Sequence, residues 1–414
     1  MKKNVIVLAV AVCFLFICTY PAPATAGGRH HNRFSCEDRV KVMTRNVYLG
    51  ADIFNVLAAA QDPDPALGGL DVPAAVADLF QIVQDTNFPE RAQAIAKEIL
   101  MTRPHLIGLQ EVSKWYTQSP SDFFQLTPAG LKPDPYQTPA EDLFYDYLAI
   151  LLDALSAKGL HYKVAVISEN ADVELPMLTG FTTIPGIPDP VPTFDDLRMV
   201  DRDVILVRGD VAFSNPFSAN YHNNLSAEIG GVQLEFTRGW AKVDAEICGA
   251  TYRFVNTHLE IAGDPGSAFR LIQAQQMQEL LGELNGEEDP ILLVGDFNSS
   301  PEHIPGEACL PGAGCFNYVP PYILATTYFG YLDAWDLIFW PRDGFTSSFD
   351  EYVSDPTAEL TERIDLILVK PQDKEIKNVI AITTGDTPFS MTPGGLWPSD
   401  HAGVVARIKF ESPH

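Results

Sequence analysis

The sequence predicts an α+β protein in which two mixed β-sheets pack face to face with helices outside. Three observations carry this reading. Short apolar strand-like runs alternate with longer amphipathic stretches along most of the 414 residues. Between them, several strand-like runs follow one another as antiparallel neighbours do. Polar clusters stand at the ends of the apolar runs from Asn46 to His401, and they must converge, which favours one large domain over two.

In chain order, residues 40–48 read as a strand. Asn87-Phe88-Pro89-Glu90 has the spacing of a capping box with proline early in the first turn. It predicts a helix to about Met101, with Ala92, Ile95, Ile99 and Leu100 as its apolar face. Pro104 ends that helix, and 106–109 is the next strand. Residues 142–155 read as a second amphipathic helix. Strands are expected at 162–167, 204–207, 232–243 and 252–256, a helix at 267–284, and a buried strand at 291–294. The runs 364–368, 379–382 and 404–408 complete the sheets. Four Pro- and Gly-rich segments read as insertions: 62–85, 113–141, 169–195 and 299–328. The third carries Leu175-Pro176-Met177-Leu178 and Phe181, then Ile184 and Ile187. It reads as a loop packed on its own core, with transient contact to a lipid surface as the alternative.

Lys2 and Lys3, a short apolar core at 5–18 and the small-x-small triplet Ala24-Thr25-Ala26 predict a signal peptide over residues 1–26. Residues 27–39 then form an N-terminal segment and 40–414 the main domain, in a secreted or periplasmic protein. A membrane anchor is the rival reading, but the apolar run is short for a span of about 20 residues. Cys18 raises a lipoprotein reading, which Phe16-Ile17 does not suit. No other segment is apolar enough to cross a bilayer. Cleavage leaves Cys36, Cys248, Cys309 and Cys315, an even number that suggests two disulfides. The stretch from Cys309 to Cys315 reads as a loop closed on itself, which leaves Cys36 for Cys248. A cysteine metal site is disfavoured, because no Cys-x-x-Cys is present.

The formal charge is −26, and losing the two leader lysines takes it to −28. Such a chain repels nucleic acid at long range, where binding rests on Lys and Arg neutralising phosphates. A local basic cleft or a bound divalent cation can offset this.

The polar clusters are Asn46 after 40–45, Glu111 after 106–110, His258 after 254–257, Gly295-Asp296-Phe297-Asn298 after 290–294, Asp365 within 363–368, and Ser399-Asp400-His401 before 402–405. Asp296 and Asn298, two apart on an extended segment, are expected on one side of it. In this order the clusters resemble the endonuclease/exonuclease/phosphatase superfamily, from about Val40 to Arg407. The resemblance implies a four-layer α/β/β/α sandwich with its active site at one edge, where strand ends and loops of both sheets meet. It implies a Mg²⁺-dependent (or Mn²⁺-dependent) hydrolase of phosphoesters, with 40–414 as the catalytic domain.

Glu111, Asn46 and Asp400 are the expected metal ligands, hard oxygen donors that suit Mg²⁺. His401 is expected to pair with Asp365 and to act as general base or as a stabiliser of the pentacovalent phosphorus. Asp296 orients water or the leaving side and is the alternative base. Asn298 donates to a phosphoryl oxygen, and His258 contacts the phosphate or protonates the leaving oxygen. Asp201-Arg202-Asp203 reads equally as cleft lining or as a surface charge run. Export, acidity and the apolar insertions favour a small phosphoester or a lipid headgroup, as in the sphingomyelinase-like branch. An extracellular deoxyribonuclease is the runner-up, to be favoured by a basic groove built from Arg198, Arg202 and Arg238. A non-catalytic surface-binding protein on the same fold is the third reading. No stable protein partner is inferred.

Overall fold

The computed structural model describes residues 39–411, apart from 65, 66, 68, 128, 129, 134–136, 188, 230, 231, 311, 313, 340 and 341. The expected signal peptide, residues 27–38 of the N-terminal segment and Cys36 lie outside the described residues.

The first sheet has eight strands. Its order is β19 (Glu375–Thr384), β20 (Gly403–Glu411), β1 (Arg39–Asn46), β2 (Leu106–Gln110), β8 (Val191–Arg208), β3 (Lys114–Gln118) and β6 (Asp142–Asp146), with β7 (Tyr162–Thr182) also paired to β8. The second has six, in the order β17 (Leu332–Asp333), β18 (Asp365–Lys370), β14 (Ile291–Asp296), β13 (Ala250–His258), β12 (Gly239–Ile247) and β9 (Ala212–Asn220). Both are mixed: β1 runs parallel to β2, β13 runs parallel to β14, and β14 and β18 are antiparallel. Three hairpins stand apart: β4 (Phe124–Thr127) with β5 (Gly130–Pro133), β10 (Leu225–Ile229) with β11 (Val232–Phe236), and β15 (Gly306–Leu310) with β16 (Gly314–Tyr318).

The two-residue period of a strand sorts side chains into layers. Val40 and Val42 of β1 join Leu106, Phe254, Leu292 and Ile367 in an apolar layer between the sheets. Met43, Ile107 and Leu206 point the other way, against the helices α1 (Phe54–Gln61), α2 (Asp71–Asp85), α3 (Phe88–Thr102) and α4 (Tyr147–Ala157). On the far side, Val255, Leu293 and Leu368 meet Leu271, Met277 and Leu280 of α5 (Ala268–Glu283). The order helix, sheet, sheet, helix is the expected four-layer α/β/β/α sandwich. Among the described residues no helix is long and apolar enough to cross a membrane.

Several local expectations are corrected. The capping box at Asn87 does not form: Asn87 is left-handed (φ 41°), and its amide donates to Glu90 Oε2 at 3.2 Å rather than its oxygen accepting from the backbone. Residues 142–146 are an edge strand rather than the first turn of a helix. The helix starts one residue later because the Asp146 carboxylate accepts from the backbone N–H groups of Leu148 and Ala149. The expected strand at 232–243 is two elements in two different sheets. The four insertions are largely ordered. The first contains α2, and the second contains β3 and the β4–β5 hairpin. The third is not a loop but the outer part of a long β7–β8 ribbon, whose pairing extends to Thr182 and Val191. Leu175 and Met177 on that ribbon are buried, whereas Phe181 and Ile187 near its tip are exposed. The fourth contains the β15–β16 hairpin, closed by the expected Cys309–Cys315 disulfide. Cys248 is also disulfide-bonded.

Candidate active site

At one end of the molecule the layer between the sheets changes from apolar to polar. Along β1 the inward positions after Val40 and Val42 are Thr44 and Asn46; along β13 they are Asn256 and His258 after Phe254; along β14 Asp296 follows Leu292 and Val294. The parallel strands reach this edge with their C-terminal ends, and antiparallel β18 begins there with Asp365. Thr44 donates to Gln110, Gln110 donates to Asn256 at 2.6 Å, and Asn256 donates to Leu109 O, so a hydrogen-bonded floor spans both sheets. Gly108 permits this, since a Cβ there would collide with Asn256 and Val294. Above the floor is a cleft of about 290 Å³ whose lining includes Glu111, His258, Asp296, Asn298, Asp400 and His401.

The Asn46 amide donates to Glu111 Oε1 at 2.9 Å and to Asp296 Oδ2 at 3.1 Å, joining carboxylates of the two sheets. Glu111 also accepts from Leu49 N at 2.7 Å, and these bonds hold it in a left-handed backbone conformation (φ 62°). Burial, reinforced by Asp400 and Asp201, pushes its carboxyl up to about 8. Burial also raises Asp400, which keeps Oδ1 against the Ser399 hydroxyl at 3.1 Å. Two partly buried carboxylates facing one cleft, both with raised protonation, are short of positive charge. Their oxygen chemistry fits a hard divalent cation. The ligand-capable atoms of Glu111, His258 and Asp296 also lie within 4.8 Å of one another.

Two histidines face Asp296 from opposite sides. His258 Nε2 lies 3.7 Å and His401 Nδ1 3.9 Å from Asp296 Oδ2. His401 makes the expected pair with Asp365, at 2.7 Å. Burial alone would lower its pKa, but Asp365, Asp400 and Asp296 together raise it well above the usual value. His258 sits in the opposite field. Burial and the Arg238 guanidinium, whose Nη1 is 3.2 Å from both ring nitrogens, lower its pKa well below the usual value. Asp296 is pushed up to about 6, by burial first and Asp365 second.

Asn298 lines the cleft, but not because an extended strand aims it there. It is left-handed (φ 47°), its N–H donates to Asp296 Oδ1 at 2.9 Å, and one side-chain hydrogen goes to Leu259 O. Gly295 precedes this turn at φ 155°, where a Cβ would strike Thr257 O.

Helices fix the loops. Arg91 of α3 donates to Val47 O, Tyr48 O and Pro398 O, tying the end of β1 to the Ser399–His401 turn. Arg45 pairs with Glu98 at 3.0 Å and donates to His401 O. Gln273 of α5 donates to Glu260 O, Phe297 O and Asn298 O, joining the turn after His258 to the turn after Asp296.

All eight residues singled out in the sequence therefore belong to one neighbourhood. Asp201-Arg202-Asp203 is buried, which corrects the surface-charge alternative. Asp201 and Asp203 accept from Asn170, and Asp203 Oδ1 is 3.8 Å from His258 Nδ1, while Arg202 faces away and pairs with Asp146 at 2.6 Å. The groove of Arg198, Arg202 and Arg238 does not form. Arg198 is held by Asp172 at 2.6 Å, and Arg238 alone of the three lines the cleft, with Glu260 3.7 Å away. Sequence reading named Arg238 only as part of that groove and missed Asn170, Asn256 and Gln273. The amide-bearing inward positions of β2 and β13 were the available signal for Asn256.

A family model described as the Endonuclease/Exonuclease/phosphatase family matches residues 54–401. No curated protein sequence matches the chain. Among solved structures, the chain is similar to a mannosyl-6-phosphatase from Bacteroides thetaiotaomicron VPI-5482, at 14% identity and a TM-score of 0.46 over 90% of this chain and 99% of that one. It is similar to truncated TDP2 from Caenorhabditis elegans, at 14% identity and a TM-score of 0.44 over 90% and 97%. A third is an endonuclease/exonuclease/phosphatase from Beutenbergia cavernae DSM 12333, at 17% identity and a TM-score of 0.46 over 90% and 71%.

Proposed function

The chain belongs to the endonuclease/exonuclease/phosphatase family and is a metal-dependent phosphoester hydrolase, and on that premise we propose that it is an exported, Mg²⁺- or Mn²⁺-dependent phosphodiesterase or phosphatase of small or lipid-headgroup phosphoesters. The observation that carries the chemistry is the convergence of Glu111, Asp400, Asp296, His258 and His401 on one cleft.

Glu111 and Asp400 would hold the cation, with Asn46 assisting. A divalent ion bound there supplies positive charge to the phosphoryl oxygens. Asp296, with a carboxyl near 6, is matched to accept a proton near neutral pH. Water forms a bond to phosphorus and its proton passes to Asp296. The bond from phosphorus to the leaving oxygen breaks, and that oxygen takes a proton from solvent. His401 keeps its proton between three carboxylates and stabilises charge on the reacting phosphoryl group. His258, neutral beside Arg238, offers an N–H hydrogen bond to the leaving oxygen rather than a full proton. Arg238 and the free hydrogen of the Asn298 amide stabilise phosphoryl oxygens.

Preference for a small or lipid phosphoester over a polynucleotide is supported by charge. Arg198 and Arg202 are neutralised by aspartates, and Asp52, Glu351 and Asp400 line the cleft. Phe181 (60% exposed) and Ile187 (40%) on the ribbon tip support transient contact with a membrane surface. Export rests on residues 1–26, and the Cys309–Cys315 disulfide suits an oxidising compartment. Residues 40–414 form the catalytic domain in this reading.

The test is a screen of purified protein with Mg²⁺ or Mn²⁺ against a chromogenic phosphodiester, sphingomyelin, phosphatidylinositol phosphates, RNA and duplex DNA. Turnover of the small or lipid substrates, silenced by chelator and restored by cation, is expected. Turnover confined to nucleic acid, or undiminished in excess chelator, would overturn the proposal.

A further inference from the structure

Beside the catalytic cleft lies a second chamber of opposite character. Between α1, α2 and the outer face of the eight-stranded sheet is a partly open pocket of about 50 Å³ lined by apolar residues. Its walls include Ile53, Val76, Leu79, Trp115, Met199 and Phe236. A small void of about 10 Å³ lies between it and the cleft and shares lining residues with each. Ile53 borders all three spaces, Met199 and Phe236 border the chamber and the small void, and Arg238 borders the small void and the cleft. Phe236 ends β11 and Arg238 follows two residues later, so one short segment lines the apolar side and then the charged side.

A gap of this kind weakens a core, because its lining forfeits contacts that a filled core would make. Apolar cavities stay dry and accept apolar guests. At about one water-sized group per 10–15 Å³, the chamber holds about four methylene-sized groups. A phosphoester whose phosphoryl group sits against Arg238 has one substituent beside the small void. Only an apolar substituent gains by entering a space with no polar partner.

We propose that the chamber bounded by Ile53, Val76, Leu79, Met199 and Phe236 is a subsite for a short apolar chain, or the first segment of a longer one, attached to the substrate's phosphoryl group. The proposal rests on the phosphoesterase reading and names its substrate class, an amphipathic phosphoester. Arg238 marks the boundary between its two halves.

The experiment compares methyl, butyl and octyl 4-nitrophenyl phosphate with Mn²⁺, alongside calorimetric binding of methyl phosphate and butyl phosphate to the Mn²⁺-loaded protein. The expected gain in kcat/KM is about fourfold per added methylene, carried mainly by KM and levelling off beyond butyl. Butyl phosphate should bind correspondingly tighter than methyl phosphate. Val76→Phe on α2 and Leu197→Phe on β8, both at lining positions of the chamber, should each remove the butyl advantage and keep methyl turnover within about twofold of the wild type. Methyl and butyl ligands of equal affinity, or a butyl advantage that persists in both folded variants, would overturn the subsite. Chain-length-dependent binding without turnover of any ester would keep the subsite and overturn the hydrolase reading, so the two fail separately.

Discussion

His258 and His401 are the same side chain, both buried, each within 4 Å of the same Asp296 oxygen, and they carry opposite charge tendencies. On the β18 and β20 side, His401 is ringed by Asp365, Asp400 and Asp296 and holds its proton. On the β12 and β13 side, His258 has Arg238 against both ring nitrogens and stays neutral. The difference lies in neighbours supplied by distant parts of the chain, which divide one cleft into a proton-holding half and a neutral half. Asp296 stands between them, at about 6.

The largest effect expected from breaking this arrangement is at Asp296. Asp296→Asn should lower kcat by on the order of 10⁴, His401→Ala by about 10³ and His258→Ala by about 10², within the range of acid–base and charge-stabilising groups. Thermal midpoints close to the wild type would show that chemistry and not folding is lost. Near-normal kcat in all three would remove the assignment.

The electrostatic contrast can be inverted directly. Asp365→Asn should move the imidazole titration of His401 down, and Arg238→Met should move that of His258 up, each followed by NMR in chelator-treated protein. Unmoved titrations would mean that the named neighbours do not set the charge.

Stability should show the same opposition. His401 has a folded pKa above its unfolded value near 6.5, so its contribution is present below about pH 6.5 and lost as pH rises through the folded pKa. His258 has a folded pKa below that value and penalises the fold as pH drops below about 6.5. In metal-free protein, the stability difference between wild type and His401→Gln should shrink with rising pH. The difference between wild type and His258→Gln should shrink with falling pH. Parallel pH profiles for the two variants would contradict the contrast.

How much of this was legible in the sequence follows from where each residue stands. Asn46, Glu111, His258 and Asp296 end apolar runs, and a strand's two-residue period places such ends on a definite face. The two-sheet architecture followed from the same runs, because apolar faces on both sides of a strand require cover. Arg238 was not legible as a cleft residue, because it lies in a two-residue link between strands of different sheets that reads as one continuous strand. Asp201 and Asp203 resemble a surface charge run, and their burial comes from contacts distant in sequence: Asp203 pairs with Ser168 of β7, and both accept from Asn170. The β7–β8 ribbon looked like a loop because Pro176 and Gly180 break its pattern while cross-strand pairing continues around them. Asn170 and Gln273 act on residues far away in sequence, and no local signal announces such reach.

The smallest expected effect concerns the frame. Gln273→Leu removes three hydrogen bonds that join the turns after His258 and Asp296. It should cost about 1–3 kcal/mol in stability for the carbonyls left buried. It should lower kcat by only about tenfold, with the titration order of the two histidines retained. Loss of that order would make α5 part of the electrostatic device and not only its support.

The most direct test of the shared pocket is Mn²⁺ binding to chelator-stripped protein, followed by electron paramagnetic resonance. One tight site is expected, weakened at least tenfold in Glu111→Gln and in Asp400→Asn and unchanged in Asp172→Asn, whose carboxylate is occupied by Arg198. Undiminished binding in both Glu111→Gln and Asp400→Asn would contradict the claim that these acids gather around one hard cation.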